Sequence, residues 1–110
     1  MTVNEAITVA CALRPNELDE QILRRLVTEL DHRLALESGR ARMGTPAQGN
    51  SVYRDELSVP PPFSHVYWMY LVAMIDMATG DEEGFGVSYA LFKEARESYL
   101  RWMHRGEGRG

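Results

Sequence analysis

The chain has 110 residues, of which 45% are apolar and 25% are charged, and its formal net charge is -4. These values are typical of one soluble globular domain and leave little room for extended disorder. The acidic balance argues against a protein whose main task is to neutralise nucleic-acid phosphates. Cys11 is the single cysteine, which excludes an intramolecular disulfide and a cysteine-based metal site and favours a reducing compartment.

The first helix is predicted over residues 3–13. Thr2 and Glu5 have the spacing of a capping box, in which each side chain caps the backbone N–H group of the other residue. Pro15 ends the helix because proline removes a backbone donor. Apolar residues recur at helical spacing between these limits: Val3, Ile7, Ala10 and Leu13.

The second helix is predicted to begin after Asn16, which is a good N-cap residue, and to run to about Ser38. Acidic residues follow the cap and suit the positive end of the helix dipole. The predicted apolar face comprises Leu18, Ile22, Leu26, Leu30 and Leu34, widened by Leu23 and Val27. The opposite face is predicted to be solvent-exposed and carries Arg24, Arg25, Glu29, His32 and Arg33.

Residues 39–58 are predicted to form a long loop and an extended arm before the third helix. Glycine, proline and asparagine dominate the part from Gly39 to Asn50, a composition that favours turns. Three consecutive prolines follow at positions 60–62, and they hold the backbone near the polyproline conformation. Pro62, or a residue just after it, is expected in the first turn of the next helix.

The third helix is predicted from about Phe63 to Thr79 and is almost wholly apolar between Val66 and Ala78. That stretch is too short to cross a bilayer, which takes roughly 20 apolar residues. Such an apolar helix needs cover on nearly every side, which predicts a central core helix or a subunit interface. Asp76 interrupts the stretch, and we expect it to pair with an arginine of the fourth helix or of a neighbouring subunit.

The fourth helix is predicted from the acidic residues 81–83 to about His104, with Gly80 ending the helix before it. Its apolar residues are Phe85, Tyr89, Phe92, Tyr99 and Met103, widened by Leu91, Ala95 and Trp102. The tight turn predicts an antiparallel hairpin of helices three and four. We therefore predict an all-α bundle of about four helices in a single domain over residues 1–105, followed by a flexible tail at 106–110.

The sequence contains no recognisable catalytic constellation. His32, His65 and His104 lie on separate predicted elements without a metal-binding spacing. Cys11 is interpreted as a small buried residue, and no glycine-rich phosphate loop is present. We therefore predict that the protein is not an enzyme and has no catalytic residue, no metal and no cofactor.

An ordered series of residues runs through the second half of the chain. It reads Leu57-x-Val59-Pro60-x-Pro62, then Tyr67-x-x-Tyr70-Leu71-x-Ala73-Met74-Ile75-Asp76, then Gly80-Asp81, Ala90-Leu91-Phe92 and Tyr99-x-x-Trp102. The opening Thr2-Val3-x-Glu5-Ala6-Ile7 with Leu13-Arg14-Pro15-Asn16 belongs to the same set. Together these residues resemble the small prophage proteins of the tailed-phage head-tail connector, or adaptor, group. The resemblance covers most of the chain outside residues 39–51.

The resemblance implies a structural protein that assembles as a ring below the portal and extends the DNA channel, without catalysing a reaction. Its implied partners are copies of itself, the portal protein and a tail-side completion protein, and DNA passes through the channel without sequence-specific binding. An arm from Val52 to Pro62 is suited to reach an adjacent subunit. The candidate interface residues are Val52, Tyr53, Leu57, Val59, Pro60, Pro62, Trp68 and Trp102.

The expected location is the host cytoplasm during assembly and then the head-tail junction of the virion. The chain opens on an acidic segment where a signal peptide would carry Lys or Arg, so we expect no targeting segment and no membrane. The alternative function is a DNA-binding helical protein of phage packaging or regulation. In that alternative, arginines of the second helix or of the C-terminal end would contact phosphates.

Overall fold

The computed structural model describes residues 1–39 and 56–105. Within these residues the chain forms four helices: α1 Val3–Leu13, α2 Glu20–Glu37, α3 Val66–Ala78 and α4 Glu82–His104. The described residues contain no strand, and one isolated antiparallel bridge joins Thr2 to Glu56. The prediction of an all-α bundle is confirmed. The predictions for residues 40–55, including most of the loop and arm, and for the tail at 106–110 lie outside the described residues.

Helix α1 has the predicted bounds and the predicted cap. The Thr2 hydroxyl oxygen accepts a hydrogen bond from the Glu5 backbone N–H at 3.0 Å, and a Glu5 carboxylate oxygen accepts from the Thr2 N–H at 2.8 Å. This capping box satisfies two backbone donors that the first turn of a helix leaves without partners. The buried face of α1 comprises Val3, Ala6, Ile7 and Ala10.

Helix α2 begins at Glu20, so the prediction that Asn16 caps it is wrong. The N-cap is Asp19, whose Oδ1 accepts from the Gln21 N–H at 2.8 Å. Asn16 shapes the connection instead, because its Oδ1 accepts from the Leu18 N–H at 2.9 Å and its amide donates to the Arg14 carbonyl at 2.9 Å. An asparagine side chain that bonds the backbone two residues on forms a turn, and this turn delays the helix.

The buried face of α2 is rotated from the predicted one. Leu23, Val27, Leu30 and Leu34 are the buried residues of the helix. Ile22 was predicted on the apolar face, but its side chain is 51% exposed. The observed residues follow a spacing of four, three and four, which holds a straight stripe along a helix of 3.6 residues per turn. Residues that are always four apart, as in the predicted series, shift progressively around the helix.

Helix α3 is the central helix of the bundle and packs against α1, α2 and α4. It begins at Val66, three residues later than predicted, because turns occupy the segment after the prolines. The Phe63 N–H donates to the Pro60 carbonyl at 2.9 Å, and the Val66 N–H donates to the Phe63 carbonyl at 3.2 Å. Pro62 therefore lies outside the first turn of α3, contrary to the prediction.

Helix α4 packs antiparallel to α3 as predicted. Gly80 has a φ of 82°, the left-handed conformation that glycine adopts at a helix end. Asp81 then caps α4, since its Oδ1 accepts from the Gly84 N–H at 2.9 Å. Ser88 near the start of α4 meets Asp76 near the end of α3, and Phe92 meets Tyr70. The buried face comprises Ser88, Phe92, Ala95, Tyr99 and Met103.

Candidate functional site

The residues predicted as interface candidates occupy different environments. Leu57 and Val59 are buried in the core of the chain itself, whereas Pro60 is half-buried and Pro62 is exposed. Trp68 and Trp102 are half-buried and pack against the core. Phe63 lies against Trp102, with ring centroids 5.0 Å apart. Two further candidates, Val52 and Tyr53, lie outside the described residues. The structure does not gather the described candidates into one surface.

Leu57 and Val59 are buried because a carboxylate of α2 holds the segment between them. Oδ1 of Asp31 accepts from the Ser58 N–H at 3.1 Å, from the Ser58 hydroxyl at 2.6 Å and from the Tyr67 hydroxyl at 2.6 Å. The Tyr67 oxygen in turn accepts from the Val59 N–H at 2.9 Å. Burial, together with the hydrogen bond to Asp31, raises the pKa of Tyr67 well above its usual value. This network fixes the start of the proline segment to α2 and α3.

Asp76 is paired within the chain, but not with the predicted partner. Its carboxylate accepts from Nε of Arg14 at 2.7 Å and from the Ser88 hydroxyl at 2.8 Å. Arg14 follows the end of α1, so the prediction of an arginine from the fourth helix is wrong. The hydrogen bond and the charge of Asp76 raise the pKa of Arg14. The cluster therefore ties α1, α3 and α4 together. Among the described residues, every buried side-chain nitrogen and oxygen atom has a hydrogen-bond partner.

A cleft of about 370 Å³ is lined by residues of α2, α3 and α4. It combines charged and aromatic side chains from these three helices. We name it the basic cleft. The residues that line it are Leu30, Arg33, Glu37, Tyr70, Met74, Tyr89, Phe92, Lys93 and Arg96.

Aromatic rings form the floor of the basic cleft. The ring centroids of Tyr70 and Phe92 are 4.9 Å apart, and those of Tyr89 and Phe92 are 5.7 Å apart. Phe92 belongs to the buried face of α4, so it holds the two tyrosines in place from below. A floor of this kind offers apolar contact area at a low cost in side-chain entropy, because tyrosine has only two rotatable χ angles.

Cations surround the floor, and they are only partly neutralised within the chain. The Arg33 guanidinium lies 5.9 Å from the Tyr70 ring centroid and donates to the Tyr70 hydroxyl at 3.3 Å. Arg96 pairs with Glu37 at 2.6 Å. Lys93 is exposed and has no partner among residues 1–39 and 56–105. The cleft therefore presents two cations, Arg33 and Lys93, that no carboxylate of the described chain neutralises.

The sequence alone did not predict that these residues lie in one cleft. Arg33 was assigned to the solvent-exposed face of α2, and Tyr89 and Phe92 to the apolar stripe of α4. Lys93 and Arg96 are spaced three residues apart on α4, beside that stripe, and this spacing was a usable signal. What joins them to Arg33 is the packing of α2 and α4 on the same side of α3, which no local pattern encodes.

A second exposed surface lies at the turn between α3 and α4. We name it the acidic turn, and it comprises Met77, Asp81, Glu82 and Glu83. Met77 is 56% exposed. Asp81 is used as the cap of α4, whereas Glu82 and Glu83 have no partner in the part of the chain that the structure describes. The surface thus combines two carboxylates available for pairing with the exposed apolar side chain of Met77.

The sequence matches no protein-family profile, and neither a curated protein nor a solved structure is found to be similar to it. In residues 1–39 and 56–105, no helix is long and apolar enough to cross a membrane. The same residues hold no group of three or more His, Cys, Asp or Glu side chains placed to bind a metal ion.

Proposed function

We propose that this chain is a structural assembly protein, a head-tail connector of the tailed-phage type that joins a ring below the portal and extends the DNA channel. The observation that carries the proposal is that one small helical domain presents two different and complementary exposed surfaces, the basic cleft and the acidic turn. Subunits of a ring are joined by head-to-tail contacts, in which one patch of each subunit meets a different patch of the next.

The residues that resemble the connector group also have a structural meaning. Leu57, Val59, Tyr67, Leu71 and Ile75 are buried residues of the core. Asp76 and Arg14 form the buried pair that joins three helices. The resemblance therefore supports a shared fold, because it rests on residues that determine packing. The proposal of assembly rests on the exposed surfaces.

The charge of the domain suits a channel for DNA. The net charge is -4, and exposed carboxylates lie on the outer face of α4 at Glu94 and Glu97. An acidic wall repels phosphates and so lets DNA slide without sticking. In this proposal the partners are other copies of the chain, the portal protein and a tail-side completion protein. The protein acts in the host cytoplasm during assembly and then at the head-tail junction.

Light scattering after size exclusion, over a wide range of protein concentration, tests the proposal, with negative-stain images of every large species. The chain is measured alone and with a portal protein of the phage that encodes it. Closed rings, alone or on the portal, are the expected result. A chain that neither forms rings nor binds the portal contradicts the proposal.

A second candidate function is DNA binding, and the cluster of Arg33, Lys93 and Arg96 in one cleft favours it. Binding through phosphates would fall steeply with salt, because each neutralised phosphate releases counterions. A duplex titrated at low salt, with the Lys93→Glu variant as comparison, tests this candidate. Salt-dependent binding that the variant loses supports DNA binding, and no binding at low salt removes it.

A further inference from the structure

We infer that the basic cleft receives the acidic turn of a second copy of this chain, so that cleft-to-turn contacts link the subunits head to tail. The inference rests on the proposed function in one respect: it names the contact from which the ring would be built. It concerns self-association, however, and it can be tested without a portal protein.

The cleft supplies unsatisfied positive charge. Arg33 donates to a neutral hydroxyl and Lys93 has no partner among the described residues, so neither cation is neutralised within the chain. The Tyr89 hydroxyl likewise has no hydrogen-bond partner in residues 1–39 and 56–105. An occupant that fits this cleft carries carboxylates, which pair with the cations, and apolar surface, which packs on the aromatic floor.

The acidic turn supplies what the cleft lacks. Glu82 and Glu83 are exposed carboxylates without described partners, and they match the two unneutralised cations in number. Met77 lies beside Glu82 and is more than half exposed, so it can cover part of the aromatic floor. Complementary charge fixes the register of such a contact, while the apolar groups contribute buried area.

The two surfaces cannot meet within one molecule. Glu83 and Lys93 are ten residues apart on the same helix, which separates them by roughly 15 Å along the axis at 1.5 Å per residue. The contact must therefore join two copies. In the resulting dimer, one copy still has an unoccupied cleft and the other has an unoccupied acidic turn. A contact of this kind propagates, and it closes into a ring if the rotation between copies permits.

Charge-reversal variants test the inference in sedimentation velocity at low salt. The cleft variant carries Arg33→Glu and Lys93→Glu, and the turn variant carries Glu82→Lys and Glu83→Lys. Each variant alone should self-associate at least about 100-fold more weakly than the wild type, because like charges then oppose each other in the contact. Circular dichroism melting confirms that each variant is folded. The matched control reverses Arg25 and Glu29, an exposed pair on the outer face of α2, and should associate like the wild type.

Mixing the variants gives the decisive result. The turn variant keeps a native cleft and the cleft variant keeps a native turn, and the reversed turn of the first is complementary to the reversed cleft of the second. An equimolar mixture should therefore regain the association that each variant alone loses, with the two variants alternating along the oligomer. A chain that carries all four reversals should self-associate again, since the charges are exchanged. Wild-type protein that stays monomeric at about 1 mM in low salt overturns the inference, because a specific contact between exposed charges is strongest there. Variants that assemble like the wild type, or mixtures that do not associate, also overturn it.

These outcomes separate the inference from the proposed function. Oligomers that obey the charge exchange but form open filaments support the cleft-to-turn contact and contradict the connector proposal. Rings that persist in both variants support the connector proposal and overturn the contact.

Discussion

The Asp76 cluster and the basic cleft both place charged side chains between helices, and they treat those charges differently. At the Asp76 cluster the carboxylate is 2% exposed and is satisfied by Arg14 and Ser88. In the basic cleft, Arg33 and Lys93 face solvent over an aromatic floor and have no carboxylate partner in the described chain. The difference separates charges that stabilise the fold from charges that are available to a partner.

The charged groups of the two regions also differ in how deeply they are buried. A buried carboxylate without partners would cost several kcal/mol, so Asp76 is tolerated only because every acceptor is used. The cleft cations remain hydrated, so their charges cost the monomer little. Substitutions at the first region should therefore change the free energy of unfolding, and substitutions at the second should change association.

The largest effect on stability is expected from Arg14→Ala. This variant leaves the Asp76 carboxylate buried with Ser88 as its remaining partner, and it should lose about 3 kcal/mol of unfolding free energy in urea denaturation. Asp76→Asn should cost less, because Arg14 is 43% exposed and can turn its charge to water. The double variant should be more stable than Arg14→Ala alone. A loss of less than about 1 kcal/mol in Arg14→Ala would show that the cluster does not stabilise the fold.

The next effect is expected from Tyr67→Phe. The change leaves the buried Val59 N–H without its acceptor and removes a donor from Asp31, which should cost about 1–3 kcal/mol at neutral pH. Tyr89→Phe is the control, because the Tyr89 hydroxyl has no hydrogen bond with any described residue. Equal melting temperatures for the two variants would contradict the role of the Asp31 network.

The raised pKa of Tyr67 predicts that the chain becomes less stable at alkaline pH. The pKa of Tyr67 is raised in the folded state, so the fold favours the neutral hydroxyl. Above a pH of about 10 the unfolded tyrosine ionises first, and stability falls by up to about 1.4 kcal/mol per pH unit from this group. The Tyr67→Phe variant should lose that part of the pH dependence and Tyr89→Phe should keep it, as measured by urea denaturation between neutral and alkaline pH.

A smaller effect is expected from the glycines at the start of α4. Gly86 is exposed, has an ordinary helical φ and has open space where a Cβ would lie, so Gly86→Ala should stabilise the chain by up to about 1 kcal/mol. A Cβ at Gly84 would instead collide with the Asp81 carboxylate that caps the helix. Gly84→Ala should therefore give no such gain. Equal thermal shifts for the two variants would contradict this account of the cap.

The smallest effect on stability is expected from Arg96→Ala. The Arg96–Glu37 pair lies at the surface, and such pairs contribute less than about 1 kcal/mol. The substitution releases the Glu37 carboxylate into the basic cleft, where it would neutralise part of the positive charge. Self-association should therefore weaken while the melting temperature stays close to that of the wild type. A lower melting temperature with unchanged association would move Arg96 to the group of fold-stabilising charges.

Local signals in the sequence predicted a large part of the fold. Thr2 and Glu5 are three residues apart and form their capping box as expected, because that interaction needs nothing beyond the first turn. Asp76 was recognised as unusual because it interrupts an apolar helix. The start of α2 was predicted wrongly, because Asn16 and Asp19 can both cap a helix and only the turn made by Asn16 decides between them.

The remaining features depend on contacts between distant parts of the chain. Arg14 and Asp76 are 62 residues apart, and their pairing requires that the end of α1 reach the end of α3. Asp31 lies among the charged residues of α2, so nothing in its neighbourhood marked it as an anchor for Ser58 and Tyr67. The basic cleft likewise requires the arrangement of α2 and α4 around α3. Hydrophobic periodicity predicts which face of a helix is buried, but it does not say which helix covers it.

The most direct test of the account measures two variants in two assays. Arg14→Ala and Lys93→Glu are each examined by urea denaturation and by sedimentation velocity, at concentrations where the wild type associates. We expect a crossed result. Arg14→Ala should lower the unfolding free energy while its folded molecules still associate, whereas Lys93→Glu should keep the wild-type unfolding free energy and lose association. If Lys93→Glu destabilises the monomer as much as Arg14→Ala does, or associates like the wild type, the division between fold-stabilising and partner-binding charges is wrong.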